Sequence, residues 1–421
     1  MIKMKPILKG RKNIFKKLMI FLAVLGPGII TLSAGNDAGG ITTYSVCGAN
    51  FGYSMLWIAI PLTLGLVVIQ EISNRMGVVT GKGLSGVIRE RFGVKITFYI
   101  MLGIFLGNMC NVTSEFAGIA ASLELFGISK YISTPFFAVL VFVLALLGNY
   151  KTVEKVFLVG CLCFLTYIIA GFLAKPDWKE VGHNLVVPHL KLESSYLVTL
   201  IAVLGTTIAP WMQFYHQSSA AEKGTKLELL NYGRLDASLG SLIANMVAFF
   251  IVITCAATLF HSRTQIVEAK DAAMALKPLA GKYCFYLFAF GLLNASLLAA
   301  CVLPLSAAFT VCEGFGWESG VGKTASEAPQ FYIVYSILII FGCAVVLIPR
   351  ISLIGLMIFS QIINGLLLPF ITFFTIILAN DRRIMGKYAN TPVFNVLAWC
   401  VGLGASLLSL TWIIILTIES V

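Results

Sequence analysis

Charge is scarce in this chain. Asp, Glu, Lys and Arg make up 12% of its 421 residues, about half the share usual in a soluble domain. Histidine is scarcer still: His183, His189, His216 and His261 are dispersed along the sequence. There is no Cys-x-x-Cys, no Ser–His–Asp set and no phosphate-binding glycine loop. Zinc, redox and hydrolytic chemistry therefore lack their usual carriers, so an enzyme is not expected and neither is a cofactor. The ten cysteines do not change this. Nine are scattered through apolar stretches, Cys47 falls at a helix end, and Cys161 and Cys163 face opposite sides of a helix. They read as small apolar packers.

In place of charge there is hydrocarbon. Hydrophobic residues make up 58% of the chain and mean hydropathy is +0.92. This predicts an all-α polytopic membrane protein with the lipid bilayer as its partner. Eleven apolar stretches are long enough to cross about 30 Å of hydrocarbon. They lie near 18–46, 53–77, 96–127, 132–149, 155–174, 195–219, 236–260, 284–312, 330–349, 353–379 and 392–416. Residues 1–17 hold seven Lys and Arg and no acid, and read as a basic cytoplasmic arm without a cleavage site. With that arm inside, 21 of the 30 Lys and Arg fall on the cytoplasmic side. The bias predicts a plasma (inner) membrane protein with its N-terminus cytoplasmic and its C-terminus outside. The net charge of +11 is thus a topology signal. Nucleic acid is not an expected partner, because no domain gathers the basic residues.

Two spans are built to break. Gly26-Pro-Gly-Ile-Ile-Thr-Leu-Ser-Ala-Gly-Asn-Asp-Ala-Gly-Gly40 places Asp37 mid-membrane in a segment whose glycines resist helix. A buried charge there costs at least a few kcal/mol, and each interior Gly roughly 1 kcal/mol. In the sixth span, Gly205-Thr-Thr-Ile-Ala-Pro-Trp211 carries Pro210, which removes a donor and disfavours helix before it. Spans one and six are corresponding positions if residues 18–174 and 195–379 are five-helix repeats, with 392–416 an additional span. Interrupted helices at matching places mark a transporter's midplane site. Asp37, Asn36 and unwound carbonyls make an oxygen-rich negative site, with hydroxyls or freed carbonyls from Thr206 and Thr207. Such donors suit hard divalent cations: Mg²⁺, Ca²⁺ or Mn²⁺.

Several segments resemble the Nramp divalent-metal transporters. They are Gly26-Pro-Gly-Ile, Asn50-Phe-Gly-Tyr-Ser-Met-Leu-Trp57, Arg75-Met-Gly-Val-Val-Thr-Gly-Lys82, Ser360-Gln-Ile-Ile-Asn-Gly-Leu-Leu-Leu-Pro-Phe370 and Asp381-Arg-Arg-Ile-Met-Gly386. The resemblance implies a LeuT-like fold of eleven transmembrane helices in two inverted five-helix repeats, importing divalent metal ions. It implies Asp37 as principal ligand, backbone carbonyls at Ala34 and Thr206, and Gln361 closing over the metal. Asn36 and Thr207 are added as partners on chemical grounds alone.

The departures from the family pattern are informative. Where a typical member has Asp-Pro-Gly-Asn, this chain has Asp37-Ala-Gly-Gly40, and where one has Met-Pro-His it has Ala209-Pro-Trp211. Losing an amide and a thioether is expected to widen and harden the site, with Gly40, Ala209 and Trp211 shaping the cavity. These substitutions resemble the divergent magnesium-transporting clade. Transported Mg²⁺, with Mn²⁺ accepted, is the expected substrate. A proton relay looks incomplete: Glu115 and His216 match family positions on a possible ion or proton path, but Val112 stands in place of an acid. Two rival readings are a proton-coupled Mn²⁺/Fe²⁺ symporter and an organic-cation or amino-acid transporter of the same fold.

Overall fold

A computed structural model describes residues 35–146, 164–222, 224, 227–320, 323–324 and 326–419. The basic arm, the first half of span one with Ala34, and most of span five before Phe164 lie outside these residues. Among the described residues the fold is helical with no strand. Its long helices are α1 (Ala38–Phe51), α2 (Ala59–Thr80), α3 (Leu84–Glu124), α4 (Lys130–Leu146), α5 (Leu165–Leu173), α6 (Ser194–Thr207), α7 (Pro210–Glu222), α8 (Leu230–Cys255), α9 (Cys284–Phe315), α10 (Pro329–Val346), α11 (Leu353–Asn380) and α12 (Pro392–Glu419). Eight segments among them are long and apolar enough to cross a membrane.

Among the described residues the elements follow the expected spans with two differences. The third begins twelve residues early, at Leu84, because a short helix precedes it and joins it through Gly93, whose φ of 79° interrupts the helical path. The eighth is preceded by short helical turns starting at Ala269. The most apolar window of the segment ending in α9 is 94% buried, whereas that of α12 is 17% buried. So α9 is the centre of the bundle, packed along α3, while α12 lies against α11, α6 and α2 at its edge. With no hydrophobic drive between helices inside a bilayer, close contact comes from small residues. An added Cβ at Gly205 would lie 2.1 Å from the Gln361 carbonyl oxygen, and one at Gly365 2.4 Å from that of Ile201. The α6 and α11 backbones therefore touch. Gly205→Ala is expected to lower the unfolding free energy by roughly 1–3 kcal/mol through overpacking, read as a fall in Tm in detergent.

The end of α2 bearing its last turns is tied by a charge cluster around buried Glu71 and Arg75. Arg75 Nε donates to Glu71 at 3.0 and 3.2 Å, and Arg75 Nη2 donates to Asn390 Oδ1 at 2.6 Å. Arg75 Nη1 reaches the Tyr388 carbonyl, and Arg234 Nε on α8 donates to Glu71 Oε1 at 2.7 Å. Each charge has a partner, as a buried charge requires. The cluster joins α2 to α8 and to the turn before α12.

Candidate metal site at the paired helix breaks

The second half of span one starts where the sequence predicts. Asp37 is the N-cap of α1 in extended geometry, and its Oδ1 accepts from Gly40 N at 2.7 Å. The next backbone donor, Ala38 N, is taken by Glu115 Oε2 of α3 at 3.3 Å. Two carboxyl groups thus face the positive end of one half-helix, which favours negative charge. Asp37 and Glu115 are both buried. Glu115 Oε1 has no hydrogen-bond partner among the described residues.

Span six breaks at Ile208 and Ala209. Ile208 caps α6 with φ −119° and ψ 59°, and α7 begins at Pro210. Pro is suited to a first helical turn. It stands four residues after Thr206, so the Thr206 carbonyl is denied the amide that would continue the helix. Thr207 Oγ1 donates to Val203 O at 2.7 Å and so accepts from Tyr44 OH at 2.8 Å. Thr206 Oγ1 is buried without a partner among the described residues. The two breaks meet at Gly40, where an added Cβ would lie 2.7 Å from Gly35 O, 3.0 Å from Thr206 Oγ1 and 3.3 Å from Asp37 Oδ1.

Gln361 closes this group from α11. A Cβ added at Gly39 would fall 1.9 Å from Gln361 Nε2, so the amide rests on the bare Gly39 backbone. Gln361 Oε1 accepts from Asn364 Nδ2 at 2.9 Å. Asn364 in turn exchanges hydrogen bonds with Asn111 of α3, at 2.9 and 3.1 Å. The amide is held from behind by an Asn pair that spans two helices.

The structure therefore brings together Asp37, Thr206, Gln361 and Glu115. Thr207 adjoins them but spends its hydroxyl on Val203 and Tyr44. Asn36 Nδ2 donates to the Ala244 carbonyl of α8 at 3.3 Å. Ala209 and Trp211 are buried at the break and just beyond it, with the Trp211 ring 6.2 Å from that of Tyr215. His216 is buried six residues beyond Pro210 on α7, about 9 Å along the axis. At Gly40 the place a Cβ would take is occupied by Gly35 O and the Thr206 hydroxyl. Sequence reasoning missed Asn364 as the support of Gln361, and Glu115 as a cap of α1. The available signal was polar residues at helical spacing in apolar spans, Asn111 and Glu115 on one helix and Gln361 and Asn364 on another.

Beside the breaks lies a cavity of about 40 Å³ lined by Tyr44, Thr207, Cys47, Met55 and Asn245 among others. Met357 Sδ is occupied by the Thr42 hydroxyl at 3.3 Å, one turn further along α1.

An apolar bundle in which one helix is interrupted beside the buried polar start of another has the architecture of LeuT-like transporters. Solved structures agree on the fold. A manganese transporter of Eremococcus coleocola, crystallised with an aromatic bis-isothiourea substituted compound, superposes with a TM-score of 0.78 at 20% identity, covering 96% of this chain and 87% of that one. MhsT in complex with L-phenylalanine gives 0.56 at 14% identity, covering 93% and 97%. The chain belongs to the Nramp family, described as natural resistance-associated macrophage protein-like, which matches residues 28–415. Among its relatives is the divalent metal cation transporter MntH of Erwinia tasmaniensis, 28% identical over 360 residues, 80% of this chain and 86% of that protein. MntH of Yersinia pestis is 26% identical over 359 residues, covering 80% and 87%.

Proposed function

We propose that this chain carries divalent metal cations across the plasma membrane, with Mg²⁺ as the main substrate and Mn²⁺ accepted. The observation that carries this reading is the donor set at the paired breaks. The Asp37 carboxylate and the Thr206 hydroxyl and carbonyl are oxygen donors, Gln361 closes over them from α11, and Ala209 supplies no sulfur where the two half-helices meet. Hard cations take carboxylate, carbonyl and water oxygens. Mg²⁺ keeps several waters when bound, so a sparse protein shell suits it. Asp37 is the principal ligand, with the Ala34 carbonyl, Asn36 and Thr207 as further direct or water-mediated partners. Gly40, Ala209 and Trp211 bound the site. Glu115 lies behind the ligand, and with His216 it lies on the path that the ion or a proton takes.

The two five-helix halves, 18–174 and 195–379, rock about this site, and 392–416 stands outside the repeat. Orientation is N-terminus cytoplasmic and C-terminus outside, so an inward-negative potential drives cation entry. For a divalent ion that is worth about 4.6 kcal/mol per 100 mV, which makes proton coupling unnecessary. Buried Val112 and Trp211 leave the relay without two of its titratable positions.

Reconstituted liposomes under an imposed potential test this, with Mg²⁺ and Mn²⁺ influx recorded beside lumenal pH. Mg²⁺ entry without acidification is the expected result. Mn²⁺ entry with acidification and no Mg²⁺ flux would return the chain to a proton-coupled Mn²⁺/Fe²⁺ symporter.

A further inference from the structure

Two sulfur side chains meet at the end of α1 away from Asp37, and a third, Cys255, lies on the helix packed beside them. Cys47 lies in the last turns of α1. The chain then reverses at Gly52, whose φ of 58° suits the turn, and Ser54 Oγ pins it by donating to Phe51 O at 2.7 Å. The reversal brings Met55 back onto Cys47, with Sγ and Sδ 3.4 Å apart. Cys255, at the end of α8, packs against the neighbouring Gly48: a Cβ added there would lie 2.9 Å from the Cys255 Cβ. All three residues are buried, and Cys47 and Met55 line the cavity of about 40 Å³ beside Tyr44 and Thr207. That exceeds the roughly 10–15 Å³ needed by a guest the size of water.

We propose that Cys47, Met55 and Cys255 form a binding site for soft, thiophilic metal ions such as Ag⁺ or Cu⁺, and that an ion bound there blocks transport. Thiolate and thioether ligands select such ions, whereas the oxygen donors at Asp37 select hard ones. On binding, the Cys47 S–H bond breaks, its proton passes to water, and a metal–sulfur bond forms. The Met55 sulfur contributes a lone pair, with no change of oxidation state. Cys255 closes the shell from α8 by the same loss of a thiol proton. The bound ion staples the end of α1 to α8 and to the turn before α2. It also sits next to the Tyr44–Thr207 hydrogen bond that joins the two broken spans. Span one cannot then move relative to span seven, and the carrier stalls.

The test uses silver nitrate in chloride-free buffer. Ag⁺ should inhibit Mn²⁺ influx into liposomes, and dithiothreitol should restore it. Cys47→Ser and Met55→Leu should each raise the half-inhibiting concentration by at least about tenfold, as loss of a ligand-shell group does. Cys400→Ser, on the exposed side of α12, should leave it unchanged. Unaltered sensitivity in Cys47→Ser, or its loss in Cys400→Ser, overturns the site. Silver-edge X-ray absorption on the purified wild-type protein gives a readout independent of folding in the variants and of which ion is carried. A first shell of sulfur is expected with one equivalent of Ag⁺, and a nitrogen or oxygen shell would refute the assignment.

Discussion

Asp37→Asn is expected to reduce divalent-cation uptake by at least about a hundredfold while leaving the protein folded. The size follows from removing one member of a buried charge pair, which costs about 3–5 kcal/mol, and every 1.4 kcal/mol is about tenfold. The structure gives the substitution a built-in control. Asp37 has two duties: it supplies the negative charge at the break, and its Oδ1 caps α1 through Gly40 N at 2.7 Å. Asn and Asp are about equally good N-caps, whereas Ala in that place costs about 1 kcal/mol. Asp37→Asn therefore removes the charge and keeps the cap, while Asp37→Ala removes both. The expected pattern is loss of uptake in both variants, with a lower Tm for Ala alone. Uptake by Asp37→Asn at the wild-type rate would place the ion elsewhere. A Tm that falls equally in both would mean that the carboxylate acts on the fold and not on the ion.

The helix start at Asp37 and the break at Ile208 and Ala209 were readable in one sequence because they depend on local chemistry. Glycine, Pro210 and an intramembrane Asp each alter the backbone or the energy of the residue they occupy, without reference to anything distant. The membrane class was readable for a similar reason, since hydropathy sums over a span. What surrounds the breaks was not readable. Glu115 reaches Ala38 across 77 positions, and Asn111 meets Asn364 across 253. One chain carries no record of which face of a long apolar helix meets which neighbour. Asn36 shows the limit from the other side. Its type and place beside Asp37 point to the site, but nothing in the sequence names Ala244 as the partner of its Nδ2. Chemistry proposes a ligand, and only packing decides where its side chain points.

Gly40 and Ala209 mark the same limit, and they lead to the second large effect. Read as missing ligands, they look interchangeable: restoring Asn at one and Met at the other should move preference toward Mn²⁺. The surroundings separate them. A Cβ at position 40 would meet the Gly35 carbonyl at 2.7 Å and the Thr206 hydroxyl at 3.0 Å. Backbone oxygen cannot swing aside as a flexible side chain can. Gly40→Asn therefore drives the two breaks apart and is expected to lose most uptake of both ions. Ala209 lies in the non-helical link between α6 and α7, next to the Thr206–Thr207 end. Ala209→Met adds a thioether there, a donor that favours Mn²⁺ and softer ions over Mg²⁺. The Mn²⁺:Mg²⁺ uptake ratio should rise by about tenfold, equivalent to about 1.4 kcal/mol. Because the two positions adjoin one site, their effects will not add, and the double variant should behave like Gly40→Asn. Competition between the two ions in liposomes measures all three proteins. Full uptake by Gly40→Asn would show that the break yields around a side chain, and an unchanged ratio in Ala209→Met would move the origin of selectivity to Gln361 and the Asn pair behind it.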